Sequence, residues 1–211
     1  MIKKVVAFDL DGTLSQSEKY LMPAIRRALQ EMGVPLLEDG VLRQMIGGTI
    51  EDNRRLVMPD APMERFLECT GLIHKYALAS IPDLVLPYPG IAECLQQLRQ
   101  AGYINVLCSN ATADYSLPIL KAIGVEPLLD WIPPQVRGRN KIQLLAAIAE
   151  HFSPAKLVMV GDRKFDEEAA RANRVPFIGC AYGLFPQEIT QADAVVQAAG
   201  QIPDAVEKLI G

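Results

Sequence analysis

This chain of 211 residues has few of the side chains that build zinc or redox centres. It contains two histidines, His74 and His151, and four cysteines that form no C-x-x-C pair. A structural zinc site takes four Cys or His ligands, and a redox dithiol needs paired thiols, so neither is expected. We interpret the cysteines as buried thiols and both histidines as surface or packing residues.

The sequence also lacks a surplus of positive charge and a long hydrophobic run. Its 21 Lys and Arg residues stand against 25 Asp and Glu residues, which gives a net charge of −4. Proteins that bind nucleic acid usually carry a basic surplus, so a nucleic-acid partner is not expected. No apolar run reaches the roughly 18 residues of a membrane helix, and the apolar stretch before Asp9 is shorter than a signal-peptide core. We expect a cytoplasmic protein without a membrane partner.

Short apolar runs rich in β-branched residues alternate with amphipathic helical stretches. The runs predict five strands, at residues 4–10, 104–109, 157–161, 176–181 and 194–196. Between them, helical spacing runs from Ile91 to Ala101 and recurs from Ile142 to Phe152. This alternation is typical of an α/β protein with a Rossmann-like, doubly wound parallel sheet. Ligands of such sheets bind beyond the carboxyl ends of the strands.

The region between residues 15 and 87 breaks this alternation, because it shows helical patterns and no convincing strand. Ala24, Ala28 and Leu29 share one helix face, and Phe66 and Ile73 belong to a later helix. We therefore predict two domains. Residues 1–14 and 88–211 form the Rossmann-like core, and residues 15–87 form a small helical cap inserted after the first strand.

The first predicted strand ends in Asp9-Leu10-Asp11-Gly12-Thr13. Residues i and i+2 of a strand point to the same side, so the carboxylates of Asp9 and Asp11 can converge on one point. Gly12 lets the backbone turn close to a ligand. An Asx-type turn would account for one aspartate at a strand end, but not for two. Two converging carboxylates indicate a catalytic site that holds a cation or a proton.

This segment resembles the first motif, D-x-D-G-T, of the haloacid dehalogenase superfamily of phosphotransferases, where it also follows the first strand. Matches to the other three motifs of the family lie downstream, each at a strand end or a helix start. They are Ser109-Asn110 after the second predicted strand, Lys141 at the start of a helix, and Gly161-Asp162 with Asp166, which resembles G-D-x-x-x-D. The resemblance spans nearly the whole chain, and the predicted cap lies where this family inserts one.

The resemblance implies a Mg²⁺-dependent phosphatase that works through an aspartyl-phosphate. Asp9 would be the nucleophile, Asp11 the general acid and base, and Lys141 the balancing cation. Ser109 and Asn110 would bind the phosphoryl group. The implied metal ligands are Asp9, Asp11 through its backbone carbonyl, Asp162, and Asp166 directly or through water. Mg²⁺ also suits the residue types, since it is a hard ion that takes carboxylates, waters and phosphate oxygens.

Further features favour one branch of the superfamily. Dehalogenases and phosphonate-cleaving members lack an acid at the place of Asp11, so phosphate esters are the favoured substrates. Mutases with this type of cap usually carry a histidine after the first motif, and residues 14–25 contain none. Pro87-Tyr88-Pro89-Gly90 and Ile46-Gly47-Gly48 resemble the phosphoglycolate-phosphatase-like branch, although the usual K-P-x-P context of Lys141 is absent.

We expect the partner to be a small phosphorylated metabolite, bound by a monomer or a homodimer. A phosphomutase, a pyrophosphatase and a non-catalytic binding module on this fold stay open as alternatives. Arg43, Arg54 and Arg55 of the predicted cap are candidates for contacting the far end of the substrate, although each also fits an exposed helix charge. Arg137 and Arg139, and also Arg163 and Lys164 beside Asp162, are interpreted as solvated surface charges.

Overall fold

The fold is that of a computed structural model, which describes residues 2–134 and 139–211. Within these ranges the chain forms one sheet of five strands: β1 (Lys3–Phe8), β2 (Ile104–Leu107), β3 (Ala155–Gly161), β4 (Phe177–Cys180) and β5 (Ala194–Val196). The helices of the described residues are α1 (Glu18–Glu31), α2 (Asp39–Arg43), α3 (Ile50–Val57), α4 (Met63–Ala79), α5 (Ile81–Leu84), α6 (Ile91–Gln100), α7 (Ala113–Ala122), α8 (Lys141–Phe152), α9 (Lys164–Ala172) and α10 (Ile202–Ile210).

All five strands are parallel, in the order β2-β1-β3-β4-β5. Val5 of β1 pairs with Ile104 on one side and with Leu157 on the other. The chain therefore extends the sheet first to one side of β1 and then to the other, which makes the carboxyl end of β1 a topological switch point. This confirms the predicted Rossmann-like α/β fold.

The strands are buried on both faces of the sheet. Val6 and Phe8 of β1 pack into one hydrophobic cluster, while Val5 and Ala7 pack into a second cluster on the opposite face. Because both faces of the sheet are covered, the sequence of each strand is a nearly continuous apolar run. These runs were therefore sufficient to predict all five strands. Three of the predicted strands extended too far at their carboxyl ends, since the observed strands end at Phe8, Leu107 and Cys180.

Between β1 and α6 the chain contributes helices only, from α1 to α5. In α1 the buried residues include Ala24, Ala28 and Leu29, and in α4 they include Phe66 and Ile73. These positions recur every three or four residues, so each helix buries one apolar face, and α1 packs on α4. We call residues 15–87 the helical segment.

Two further findings concern the cysteines and the length and polarity of the helices. All four cysteines are free and buried, as predicted. Of the helices within residues 2–134 and 139–211, none is both long and apolar enough to cross a membrane.

Candidate active site

The carboxyl end of β1 carries Asp9 and Asp11, both buried in the described structure. The Asp9 backbone N–H donates to the Val160 carbonyl at 2.9 Å, which ties this turn to β3. Gly12 has a φ of +85°, and a Cβ at this position would lie 2.2 Å from Asp162 Oδ2. Only glycine therefore allows the turn after β1 to lie this close to the end of β3.

Lys141 is the first residue of α8, and its ammonium group lies between two carboxylates. Its Nζ is 2.9 Å from Asp9 Oδ1 and 2.6 Å from Asp166 Oδ1. A capping box between Asn140 and Gln143 fixes the first turn of this helix. Burial opposes the charge of Lys141, but Asp166 and Asp9 outweigh it and raise the pKa of the lysine above its usual range. Lys141 therefore stays protonated.

Three carboxylates converge beside Lys141. One ligand oxygen from each of Asp9, Asp162 and Asp166 lies within 4.8 Å of the other two. Asp162 Oδ2 accepts a hydrogen bond from the Leu184 backbone N–H at 2.8 Å, and Asp166 Oδ2 accepts one from the Arg163 backbone N–H at 3.0 Å. These backbone donors fix the orientation of both side chains, as expected for a preorganised site.

The charge of this cluster is only partly balanced. Burial, then the charges of Asp166 and Asp9, raise the pKa of Asp162 well above its usual range. Burial also raises the pKa of Asp166. The buried Asp9 Oδ2 has no hydrogen-bond partner among the described residues. Three buried carboxylates against one lysine, together with the unpaired oxygen of Asp9, fit a divalent cation such as Mg²⁺.

Asp11 lies apart from this cluster and faces hydroxyl groups. Its Oδ1 accepts hydrogen bonds from Ser17 Oγ at 2.5 Å and from Tyr115 OH at 2.9 Å. The pKa of Asp11 is raised from 3.8 to about 6, because burial and the charge of Asp9 outweigh the opposing effect of the hydrogen bonds from Ser17 and Tyr115. Asp11 therefore holds a proton more readily than an ordinary aspartate.

Ser109 and Asn110 follow β2, the neighbour of β1 in the sheet, and reach the same cavity as Asp9 and Asp11. Ser109 Oγ accepts a hydrogen bond from the Ala111 backbone N–H at 3.2 Å. Both residues line one cavity together with Asp9, Asp11 and Lys141. The structure thus brings together the residues singled out after β1, β2 and at the start of α8, while Asp162 and Asp166 lie behind Asp9.

The helical segment supplies the opposite wall of this cavity. Its lining is mainly apolar, with three polar side chains, Asn53, Thr70 and His74. The arginines proposed for the far end of the substrate are elsewhere: Arg43 pairs with Glu18, and Arg54 and Arg55 pair with Glu51. Arg137 lies outside the described residues.

Sequence reasoning missed several residues that reach this site. Tyr115 contacts Asp11 from 104 positions away, and Tyr20 reaches the same carboxylate. His74 lines the cavity and stacks on Tyr115, whereas His151 stacks on Trp131, as a packing residue would. No periodicity or motif in the sequence joins positions so far apart.

Arg163 was interpreted only as a charge beside Asp162, but its side chain is 3% exposed. Its guanidinium pairs with Glu188 through two hydrogen bonds of 2.7 and 3.2 Å. It also donates to the carbonyls of Ile46 and Gln44 in the helical segment. Arg163 thus joins the end of β3 to the loop that lines the cavity.

A parallel sheet with buried aspartates at its topological switch point is typical of an α/β enzyme whose active site is built on aspartates. A family model described as haloacid dehalogenase-like hydrolase matches residues 6–180. The chain belongs to this family, as its motifs led us to expect.

Known proteins agree with this assignment along nearly the whole chain. A phosphoglycolate phosphatase of Caulobacter vibrioides is 29% identical, over 97% of this chain and 91% of its own length. Among solved structures, a hydrolase from Pseudomonas syringae superimposes with a TM-score of 0.84 at 19% identity, covering 99% of this chain and 100% of that one. A β-phosphoglucomutase from Clostridium difficile reaches a TM-score of 0.78 at 16% identity, over 99% and 98% of the two chains. The last two likenesses concern the fold alone.

Proposed function

We propose that this protein is a Mg²⁺-dependent phosphatase that hydrolyses a small phosphomonoester through an aspartyl-phosphate on Asp9. One observation carries the proposal: Asp9, Asp11 and Lys141 line a single cavity, with Asp162 and Asp166 clustered behind Asp9. Curated relatives named phosphoglycolate phosphatase support it. Phosphoglycolate is therefore the first substrate to assay.

In the first half-reaction Asp9 attacks phosphorus. A carboxylate oxygen of Asp9 forms the new bond, and the bond between phosphorus and the ester oxygen breaks. The electron pair leaves on the ester oxygen, which takes a proton from Asp11 and departs as an alcohol. The raised pKa of Asp11, to about 6, supports this role because the acid must hold a proton when substrate binds.

In the second half-reaction the aspartyl-phosphate is hydrolysed. Asp11, now a carboxylate, accepts a proton from water, and the water oxygen forms a bond to phosphorus. The bond between Asp9 and phosphorus breaks, its electrons return to the Asp9 carboxylate, and inorganic phosphate leaves. The same residue thus serves as acid and then as base, which restores the starting state.

The remaining site residues hold charge and position. When bound, Mg²⁺ offsets the charge of the carboxylates and phosphoryl oxygens; it would be held by Asp9, Asp162, Asp166 and the Asp11 backbone carbonyl. Lys141 keeps Asp9 oriented and balances the phosphoryl charge. Ser109 donates its hydroxyl to a phosphoryl oxygen, and Asn110 binds beside it.

The domain division and the cellular setting are part of the same proposal. Residues 15–87 act as a cap over a core of residues 1–14 and 88–211, because the helical segment supplies one wall of the cavity. Closure of this cap would exclude water that competes with the reaction. The apolar wall supports a small organic leaving group, and the working location is the cytoplasm.

Hydrolysis assays on the full chain test this function. Wild type and Asp9→Asn are compared on phosphoglycolate and p-nitrophenyl phosphate, with Mg²⁺ and with EDTA. Asp204→Asn makes the same chemical change at an exposed position of α10 and serves as the control. We expect release of inorganic phosphate that requires Mg²⁺, persists in Asp204→Asn and is lost in Asp9→Asn. Activity that survives in folded Asp9→Asn, or a wild type inert on both esters, would overturn the proposal.

A further inference from the structure

Three hydroxyl groups converge on one oxygen of Asp11. Ser17 Oγ lies 2.5 Å, Tyr115 OH 2.9 Å and Tyr20 OH 3.5 Å from Asp11 Oδ1. The two phenol oxygens are 3.2 Å apart, and Ser15 Oγ is 3.0 Å from Tyr20 OH. We call Ser15, Ser17, Tyr20 and Tyr115 the hydroxyl cluster. Its members are all buried, so their hydrogen bonds are shielded from water.

The second carboxylate oxygen of Asp11, Oδ2, is not held by the hydroxyl cluster. Asp11 Oδ2 accepts no hydrogen bond from the residues that the structure describes, while Asp11 lines the cavity. A side chain held at Oδ1 by two good donors has little freedom to rotate about its terminal bond. The hydroxyl cluster therefore sets the direction in which Oδ2 points.

Tyr115 is the member of the hydroxyl cluster that lies far from Asp11 in the sequence. Ser17 and Tyr20 follow Asp11 closely along the chain, whereas Tyr115 comes from α7, the helix that follows β2. The ring of His74 from α4 stacks on Tyr115 with centroids 4.9 Å apart and an angle of 25° between the planes. Tyr115 is thus held between the core and the helical segment, with its hydroxyl on Asp11.

We propose that Tyr115, together with Ser17, is a positioning residue that orients Asp11 so that Oδ2 reaches the ester oxygen of the leaving group. This inference rests on the proposed phosphatase function. A general acid must lie within hydrogen-bond reach of the atom it protonates, and a displacement of about 1 Å can cost about 10²-fold in rate. Tyr115 acts through Asp11 and does not touch the reacting atoms.

A purely structural role would also keep these hydroxyls paired, because buried polar groups need hydrogen-bond partners. The two roles differ in what they change. A structural role affects stability and acts on all substrates alike. A positioning role affects proton donation, so it depends on how much the leaving group needs a proton. Nitrophenolate is a stable anion that leaves without one, whereas phenolate is a poorer leaving group.

The test uses the full chain with Mg²⁺ and compares kcat/KM on p-nitrophenyl phosphate and phenyl phosphate, since kcat/KM covers the step in which the ester bond breaks. For Tyr115→Phe we expect kcat/KM on phenyl phosphate to fall about tenfold or more, and kcat/KM on p-nitrophenyl phosphate to stay within about twofold of the wild-type value. Tyr103→Phe is the matched control, because the Tyr103 hydroxyl bonds Glu207 far from the site. It should leave both values unchanged.

Ser17→Ala provides a second test that does not depend on the folding of Tyr115→Phe. It removes the other donor to Oδ1 and should raise the same ratio of nitrophenyl to phenyl activity. The double variant should fall short of the product of the single effects, because both residues act on one carboxylate. A ratio equal to that of wild type in folded Tyr115→Phe and Ser17→Ala overturns this inference alone. A wild type inert on phosphoglycolate as well as on both aryl esters overturns the proposed function, and this inference with it.

Discussion

Asp9 and Asp11 are two residues apart and of one type, yet their surroundings differ. Asp9 Oδ1 forms an ion pair of 2.9 Å with the Lys141 ammonium. Asp11 faces hydroxyls in a buried setting, and its pKa is raised to about 6. Two carboxylates with different surroundings can divide the roles of nucleophile and acid. The assignment in the proposed mechanism follows from these neighbours.

Lys141→Ala tests the balancing cation at the residue scale. The change leaves Asp9 and Asp166 without their shared partner in a buried site. We expect turnover to fall about 10²- to 10³-fold, because a charge positioned at the reacting group is lost. Steady-state kinetics on p-nitrophenyl phosphate give the measurement, with thermal unfolding as the check on folding. Lys121→Ala removes an exposed lysine of α7 and should have normal turnover. Near-normal turnover in Lys141→Ala would contradict the role.

Gly183→Ala tests how tightly the turns pack behind the site. A Cβ at Gly183 would lie 2.3 Å from the Asp162 Cβ and 2.6 Å from the Gly12 carbonyl oxygen. The turns must shift to admit it, so we expect a loss of about 1–3 kcal/mol in unfolding free energy and weaker Mg²⁺ activation. Gly71→Ala is the matched change, in α4 with nothing within 4 Å, and should stabilise by up to about 1 kcal/mol. Urea unfolding distinguishes them, and equal effects would refute the argument.

At the scale of elements, the site is assembled from strand ends and two helix starts. The turns after β1, β2 and β3 supply five of its residues, α8 supplies Lys141 and α9 supplies Asp166. A lysine in the first turn of a helix is unfavourable next to the positive end of the helix dipole. The two carboxylates that Lys141 contacts offset this effect, so its position reflects the site rather than the helix.

Arg163→Lys tests the link between the end of β3 and the helical segment. Arginine contacts Glu188 and the carbonyls of Gln44 and Ile46 with one planar group, and lysine cannot make all these contacts at once. We expect kcat/KM for a small phosphomonoester to fall about tenfold, because the loop that lines the cavity is less well placed. The Mg²⁺ concentration for half activation should not change, since the Arg163 backbone N–H still bonds Asp166.

Arg55→Lys is the control for this prediction. The Arg55 side chain is 68% exposed and pairs with Glu51 on the surface of α3, so the same substitution there should leave kcat/KM unaltered. An Arg163→Lys enzyme with wild-type kcat/KM would show that these contacts do not place the loop for catalysis.

At the scale of the whole molecule, the buried carboxylates link stability to pH and to metal. Burial raises the pKa of Asp11 from 3.8 to about 6, and it raises those of Asp162 and Asp166 in the same direction. In the metal-free protein, these groups keep protons that the unfolded chain has released above about pH 4. Their contribution to the free energy of unfolding therefore falls as pH rises above about 4, and for Asp11 and Asp166 this fall extends through about pH 6.

Mg²⁺ should reverse this loss, because it binds the ionised carboxylates. We expect the rise in Tm produced by Mg²⁺, relative to EDTA, to be larger at about pH 7.5 than at about pH 5. Thermal unfolding at both pH values measures it. Asp162→Asn should lose most of the Mg²⁺ effect. An equal rise in Tm at both pH values would contradict the linkage.

The sequence by itself determined the fold class and the location of the site. Five apolar runs were sufficient to predict the strands because a parallel sheet covered on both faces requires them. Polar residues at the ends of these runs had to meet, since parallel strands place their carboxyl ends at one edge. Asp9 and Asp11 could therefore be found from local pattern, whereas Ser109, Lys141 and Asp162 were singled out by the resemblance to the family's motifs.

Only the tertiary structure decided which side chains surround these residues. The strand order, the hydroxyls of Tyr20 and Tyr115 on Asp11, and the contact of Arg163 with Ile46 all depend on how helices pack across the sheet. Hydrophobic periodicity fixes which face of a helix is buried, but not which distant residue meets it. Tyr115 and the Asp11 carboxylate that it contacts are 104 positions apart in the chain, so packing alone brings them together.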